Sequence, residues 1–110
     1  MTFGQALAAA RKKKMISQKQ LASLILKEDG DPISPQYLND IERDRRNPPG
    51  DYLINQFAKI LDTPEEFFYF LANQIPPKYR QSSPKNPLQV RQAFQAFARS
   101  YRRGEGGQEK

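Results

Sequence analysis

The sequence predicts an all-α protein, in which a compact group of five short helices is followed by one longer amphipathic helix. Apolar residues recur at the three- and four-residue spacing of helices, and Ser, Thr and Asp residues stand at the predicted helix starts. No stretch alternates apolar and polar residues as a half-buried strand does. The chain of 110 residues is long enough for one small domain and too short for two.

The first two predicted helices are separated by a serine cap. Four apolar residues lie on one face of the first helix, predicted over residues 2–14: Phe3, Ala6, Leu7 and Ala10. Ser17 is the expected N-cap of the second helix, and Gln20 completes a capping box with it. This helix is predicted to end near Leu26, where turn chemistry begins and Gly30 is free to adopt a positive φ.

The next three helices begin with similar signals. Ser34, followed by proline, starts a third helix that ends at Arg43. Asp51 is the expected cap of the fourth helix, and Thr63 with Pro64 starts the fifth. The inward-facing residues of the fourth helix are predicted to be Leu53 or Ile54, with Phe57, Ala58 and Leu61.

Composition changes in the last third of the chain and suggests its domain organisation. Proline and serine make residues 76–87 a polar linker after a compact domain over residues 1–75. An apolar stripe marks residues 88–103 as an amphipathic helix. Residues 104–110 are expected to be disordered.

The residue types exclude several kinds of chemistry. Cys and His are absent, which removes thiol nucleophiles, imidazole bases and the usual zinc ligands. The protein is therefore not expected to be an enzyme, and no cofactor or metal site is expected. No apolar run approaches the length of a membrane span, and no secretion signal is recognisable. A soluble cytoplasmic protein without a membrane partner is the expectation.

The net charge of +6 is unevenly distributed along the chain. Residues 1–27 and 67–110 each carry +6, whereas residues 28–66 carry −6. Basic segments of this kind suit a phosphate-bearing partner, but ordinary solvated helix surfaces give the same pattern.

Three blocks carry a resemblance to a known family. They are Ile16-Ser17-Gln18-Lys19-Gln20-Leu21-Ala22, Ile33-Ser34-Pro35-Gln36-Tyr37-Leu38-Asn39-Asp40-Ile41-Glu42-Arg43 and Arg45-Arg46-Asn47-Pro48. In this order they resemble the lambda-repressor-like (Cro/cI, XRE) helix-turn-helix DNA-binding domain over residues 3–75. The turn over residues 26–32 is about six residues longer than is usual in the family, which leaves the angle between the two helices open. Asp44 stands where the family usually has glycine.

The resemblance implies that the third helix lies in the major groove of DNA. The expected base contacts are Gln36, Tyr37, Asn39, Asp40 and Arg43. Gln36 and Asn39 each offer the donor and acceptor that match adenine, and Arg43 suits guanine or a phosphate. Tyr37 suits a thymine methyl group or a phosphate, and Asp40 suits cytosine or repels a wrong approach. A solvated helix face is the alternative for this surface.

Other residues are expected to hold the DNA backbone or the domain itself. The expected phosphate contacts are Ser17, Gln18 and Lys19 at the start of the second helix, and Arg45, Arg46 and Asn47 in the loop after the third. In similar domains the arginine late in the first helix pairs with the glutamate late in the third. Arg11 and Glu42 are therefore predicted to form a structural ion pair.

The expected function is a sequence-specific DNA-binding transcriptional regulator, acting as a repressor that binds a palindromic operator in double-stranded DNA as a homodimer. The expected dimerisation residues are Val90, Phe94, Phe97 and Tyr101. The alternative for this last helix is packing on its own domain. A second functional hypothesis is an antitoxin-like or adaptor protein that binds a partner protein through residues 76–103.

Overall fold

The computed structural model describes residues 1–80 and 86–108, with side chains up to residue 102. The α-helices are α1 (Phe3–Lys13), α2 (Gln18–Leu24), α3 (Pro35–Glu42), α4 (Asp51–Ile60), α5 (Glu65–Leu71) and α6 (Pro87–Gln108). Within these described ranges, the only β-type pairing is an isolated antiparallel bridge between Leu26 and Pro32. The predicted all-α class is confirmed.

Helix caps explain where several of these helices begin. Thr2 and Ser17 each form a capping box, with Gln5 and Gln20 respectively, and Ser34 accepts a hydrogen bond from the backbone N–H of Tyr37. These side-chain oxygens satisfy N–H groups that have no partner within the helix. The caps predicted at Ser17 and Ser34 are therefore present.

Two predicted caps are wrong. Helix α4 takes Gly50 as its N-cap, and Asp51 is instead its first residue, with its carboxylate bound by Arg80 at 2.8 Å. Helix α5 takes Pro64 as its N-cap without a side-chain hydrogen bond. The hydroxyl of Thr63 instead donates to the carbonyl of Leu61 at 3.1 Å. Neither side chain accepts the hydrogen bond of a helix cap.

A single apolar core lies between the first five helices. Helix α1 packs against α3 and α5, α2 packs against α3, and α4 packs against α5. The largest fully buried side chains are Tyr69, Phe57, Phe68, Leu7, Leu21, Ile25, Leu38, Ile41 and Ile54. Of the two candidates in α4, Ile54 is buried and Leu53 is only half-buried. Helix α3 thus anchors one face in the core and leaves the other available.

The long turn between α2 and α3 is an ordered hairpin-like loop. The N–H of Lys27 donates to the carbonyl of Asp31 at 2.7 Å, and Gly30 has the expected positive φ of 93°. The Gln56 side chain donates to the carbonyl of Leu26 and accepts from its N–H, both at 2.8 Å. The extra residues therefore project outward while α2 and α3 remain packed together.

Asp44 follows α3 in the left-handed conformation, with φ of 59°. Its carboxylate accepts hydrogen bonds from the N–H of Gly4 at 3.1 Å and from the hydroxyl of Thr2 at 2.6 Å. A Cβ on Gly4 would clash with the carbonyl oxygens of Ile41 and Glu42, so glycine permits this close approach. Asp44 thereby joins the start of α1 to the end of α3.

The compact unit that contains α1 to α5 ends at Arg80, and not at residue 75 as predicted. A 3-10 turn, Pro77–Tyr79, follows α5. The Arg80 guanidinium donates to both carboxylate oxygens of Asp51 at 2.8 and 3.3 Å, and Lys78 pairs with Glu66 at 2.7 Å. The first residues of the predicted linker are thus held against α4 and α5, while residues 81–85 lie outside the described part of the chain.

The second unit contains α6, which is longer than predicted. Asn86 accepts a hydrogen bond from the N–H of Gln89 at 2.8 Å, as an N-cap does, so the helix begins at Pro87. The helix extends through Gln108 and so includes residues 104–108, for which disorder was expected; residues 109–110 lie outside the described part. Among the described residues, no helix combines the length and apolar content needed to cross a membrane.

Candidate nucleic-acid interface

The predicted pair of Arg11 and Glu42 is present beneath the outer face of α3. The Arg11 Nε donates to Glu42 Oε2 at 2.7 Å, and its Nη2 donates to Oε1 at 3.0 Å. The residues are 8% and 7% exposed, so the pair is shielded from water. These hydrogen bonds raise the pKa of the Arg11 guanidinium above its usual value. The pair ties α1 to the end of α3 as a fixed ionic contact.

Gln18 lies at the first position of α2 and bridges toward α3. Its Nε2 donates to Glu42 Oε1 at 2.8 Å and to Asn39 Oδ1 at 3.2 Å. The side chain is half-buried. The predicted phosphate contact at this position is therefore also an internal connection between the two helices, and both of its amide hydrogens are committed.

Asn39 lies on the outer part of α3, one turn before Arg43. Its Oδ1 accepts from Gln18 and also from the Arg43 Nε at 3.3 Å. A carbonyl-type oxygen has two lone pairs, so both are engaged. The predicted adenine match of Asn39, which needs a free acceptor, does not fit this arrangement.

Gln36 and Asp40 form a second polar group on the same helix. The Gln36 Nε2 donates to Asp40 Oδ1 at 3.0 Å, between residues four apart on one helix face. Among the described residues, nothing else binds the second amide hydrogen or the oxygen of Gln36, so both can pair with a base. Gln36 is exposed, and its predicted match to adenine fits this geometry.

Two arginines of the loop after α3 gather near the Asp40 carboxylate. Arg45 Nη1 lies 3.7 Å from one oxygen, and Arg46 Nε lies 3.8 Å from the other. The Arg46 guanidinium also lies over the Tyr37 ring, 5.1 Å from its centre. Both arginines are largely exposed, so they can exchange this weak pairing for DNA phosphates.

The remaining predicted contacts lie at the edges of this face. The Ser17 hydroxyl accepts from the Gln20 N–H as a helix cap, and Lys19 and Asn47 are exposed. The structure thus brings Gln18, Asn39, Arg43 and Glu42 into one hydrogen-bonded group. A second group joins Gln36 to Asp40 by a hydrogen bond, and Arg45 and Arg46 to Asp40 by ion pairs. No sequence signal reveals the contacts from Gln18, because its partners lie 21 and 24 residues away.

A core-anchored helix with a polar outer face, preceded by a capped helix and followed by an arginine-rich loop, defines a DNA-binding helix-turn-helix protein. The sequence model of the helix-turn-helix family matches residues 7–68, more than half of the chain. The chain belongs to this family, in its lambda-repressor-like (XRE) form. Comparisons with curated proteins and with solved structures gave no match.

Proposed function

We propose that the protein is a sequence-specific transcriptional repressor that occupies a palindromic operator as a dimer, with α3 in the major groove. One observation supports the proposal that α3 recognises DNA bases. Helix α3 buries Leu38 and Ile41 completely, while Gln36 on the opposite side is exposed and retains a donor and an acceptor. A rigidly held helix with such a side chain is the arrangement that direct readout of base edges requires.

Backbone binding is assigned to the flanks of α3. Arg45 and Arg46 follow the helix directly and are exposed, and Lys19 is exposed on the preceding helix. Each cation that neutralises a phosphate releases counterions and adds a salt-dependent contribution to binding of any sequence. We assign these residues to affinity and α3 to specificity. Because the proposed function requires access to DNA, we propose that the protein is located in the cytoplasm.

Dimerisation is assigned to α6. Val90, Phe94, Phe97 and Tyr101 follow one another at intervals of four, three and four residues, the spacing of a coiled-coil seam. Phe94 is 58% exposed, which is large for a phenylalanine. A second copy of the same helix would bury this stripe and hold two α3 helices on half-sites about one helical turn apart.

The proposed DNA binding is tested by selecting binding sites from random double-stranded DNA and then measuring affinity across a salt series. We expect one palindromic sequence to be enriched, with affinity that falls steeply as salt rises. Arg46→Ala should weaken binding of all sequences alike and reduce the salt slope by about 1. Enrichment of no sequence would refute a sequence-specific regulator and favour the adaptor hypothesis.

Sedimentation equilibrium of the full chain tests the dimer. We expect a dimer that Phe94→Glu dissociates, because a carboxylate on the apolar stripe resists burial. Gln95→Glu adds the same charge at the neighbouring exposed position and should leave the dimer intact. A wild-type monomer at micromolar concentration, or equal effects of both substitutions, would contradict the assignment. Repression itself is tested by a reporter gene placed behind the selected operator.

A further inference from the structure

The amides on the outer face of the helix-turn-helix have orientations that are set from the buried ion pair outward. Arg11 can only donate and the Glu42 carboxylate can only accept, so Glu42 Oε1 presents an acceptor to Gln18. Gln18 must therefore direct its Nε2 toward Glu42, and the same nitrogen donates to Asn39. The charge pair in this way orients an amide that itself carries no charge.

Asn39 receives donors from two directions. Gln18 Nε2 lies 3.2 Å from its Oδ1, and Arg43 Nε lies 3.3 Å from the same atom. Turning the amide over would direct its Nδ2 hydrogens at two donors, which is unfavourable. Within the described part of the chain, the Nδ2 group donates to no protein acceptor. Asn39 therefore offers DNA hydrogen-bond donors and no free acceptor.

We propose that Gln18 is a positioning residue that fixes Asn39 as a donor toward DNA, so that Asn39 selects guanine over adenine. This inference rests on the proposed DNA-binding function. Adenine presents the N7 acceptor beside the N6 donor, and an amide pairs with both only if its oxygen is free. Guanine presents the N7 and O6 acceptors, which a donor-only amide can satisfy. The adenine N6 hydrogens would instead meet an oxygen that is already saturated.

Site selection with the full chain and its variants tests this specificity. Asn39→Ala identifies the base pair in question as the one whose preference is lost. At that position we expect the wild type to favour guanine over adenine by about fivefold or more. Gln18→Met removes the amide and frees one lone pair of Asn39, so the guanine-to-adenine ratio should fall by about fivefold while preferences elsewhere persist. Gln36→Met is the matched control and should change a different base pair.

The measured quantity is the guanine-to-adenine ratio at the base pair that Asn39 contacts. A general loss of stability or of phosphate binding does not change this ratio. Should circular dichroism show that Gln18→Met is unfolded, Arg43→Met frees the other lone pair and should shift the ratio in the same direction. Wild-type preference for adenine at this position, or a ratio unchanged in the folded variant, overturns the inference and leaves the proposed function standing. Enrichment of no sequence by the wild type overturns both.

Discussion

Breaking the Arg11–Glu42 pair should destabilise the helical domain more than any other single charge removal described above. In Glu42→Ala, Arg11 keeps only its hydrogen bond to the carbonyl of Ile16, at 2.9 Å, although it is 8% exposed. Leaving one partner of a buried pair unmatched costs about 3–5 kcal/mol. This is a large part of the roughly 5–15 kcal/mol that holds a domain folded.

The expected loss of stability in Glu42→Ala can be measured by thermal unfolding monitored by circular dichroism. For a domain of this size each kcal/mol lowers Tm by about 4–8 °C, so Tm should fall by at least about 12 °C. Glu66→Ala, which breaks the exposed pair with Lys78, is the control and should change Tm little.

A double variant separates two contributions to the free energy of unfolding: the net stabilisation by the ion pair, and the penalty for burying one charge without its partner. Replacing both residues by apolar ones, Arg11→Met with Glu42→Leu, should recover more than half of the lost stability, because no unpaired charge is then buried. A loss below about 1 kcal/mol in Glu42→Ala, or a double variant as unstable as the sum of its single changes, would show that the pair is not what holds α1 to α3.

Three further predictions follow from individual side chains. Asp44→Ala should lower the free energy of unfolding by about 2 kcal/mol because it removes two hydrogen bonds. Asp44→Gly should lower it by about 1 kcal/mol less, because glycine adopts the left-handed backbone without strain. Equal losses of stability for the two variants in urea unfolding would contradict that reasoning. Burial, aided by the charge of Asp51, raises the pKa of Tyr69 to about 12. The folded state thus favours the protonated phenol, and stability that is complete below pH 10 should be lost as pH rises toward 12, by about 1.4 kcal/mol per pH unit. Tyr69→Phe should lack this loss when unfolding is compared at pH 9 and 11, and an equal loss in both proteins would refute the assignment. Asp40→Asn should release the two neighbouring arginines and tighten binding to every DNA sequence, with a steeper salt dependence; tightening confined to one sequence would argue for direct base contact by Asp40.

The helices could be predicted from the sequence wherever their signals are local. Ser17 and Ser34 cap their helices because the hydroxyl and the N–H it satisfies are three residues apart. The cap expected of Asp51 is wrong because the helix begins one residue earlier, and the Asp51 carboxylate accepts from Arg80, 29 residues further along. Spacing in the sequence carries no trace of such a distant partner. The same reason explains why the compact unit extends to Arg80.

In the candidate site, too, the sequence predicted which residues are present on the outer face but not how their side chains are oriented. The resemblance to a family identified which residues of α3 face outward and which two residues pair beneath them. It did not reveal that Gln18 connects Glu42 to Asn39, because hydrogen-bond direction depends on side chains that meet only in the folded state. Residue type therefore predicted which side chains lie on this face, whereas the direction of their hydrogen bonds required the geometry.

The hairpin-like loop between α2 and α3 also has a practical consequence. Its base is fixed by Gln56 and by the buried side chains of Ile25 and Ile33, while Glu28 and Asp29 at its tip are exposed. Exposed tips of this kind accept insertions at small entropic cost. A fluorophore or an affinity peptide attached there would report on the protein without altering the packing of α2 on α3. This exposed tip is thus a point of attachment in the middle of the helix-turn-helix.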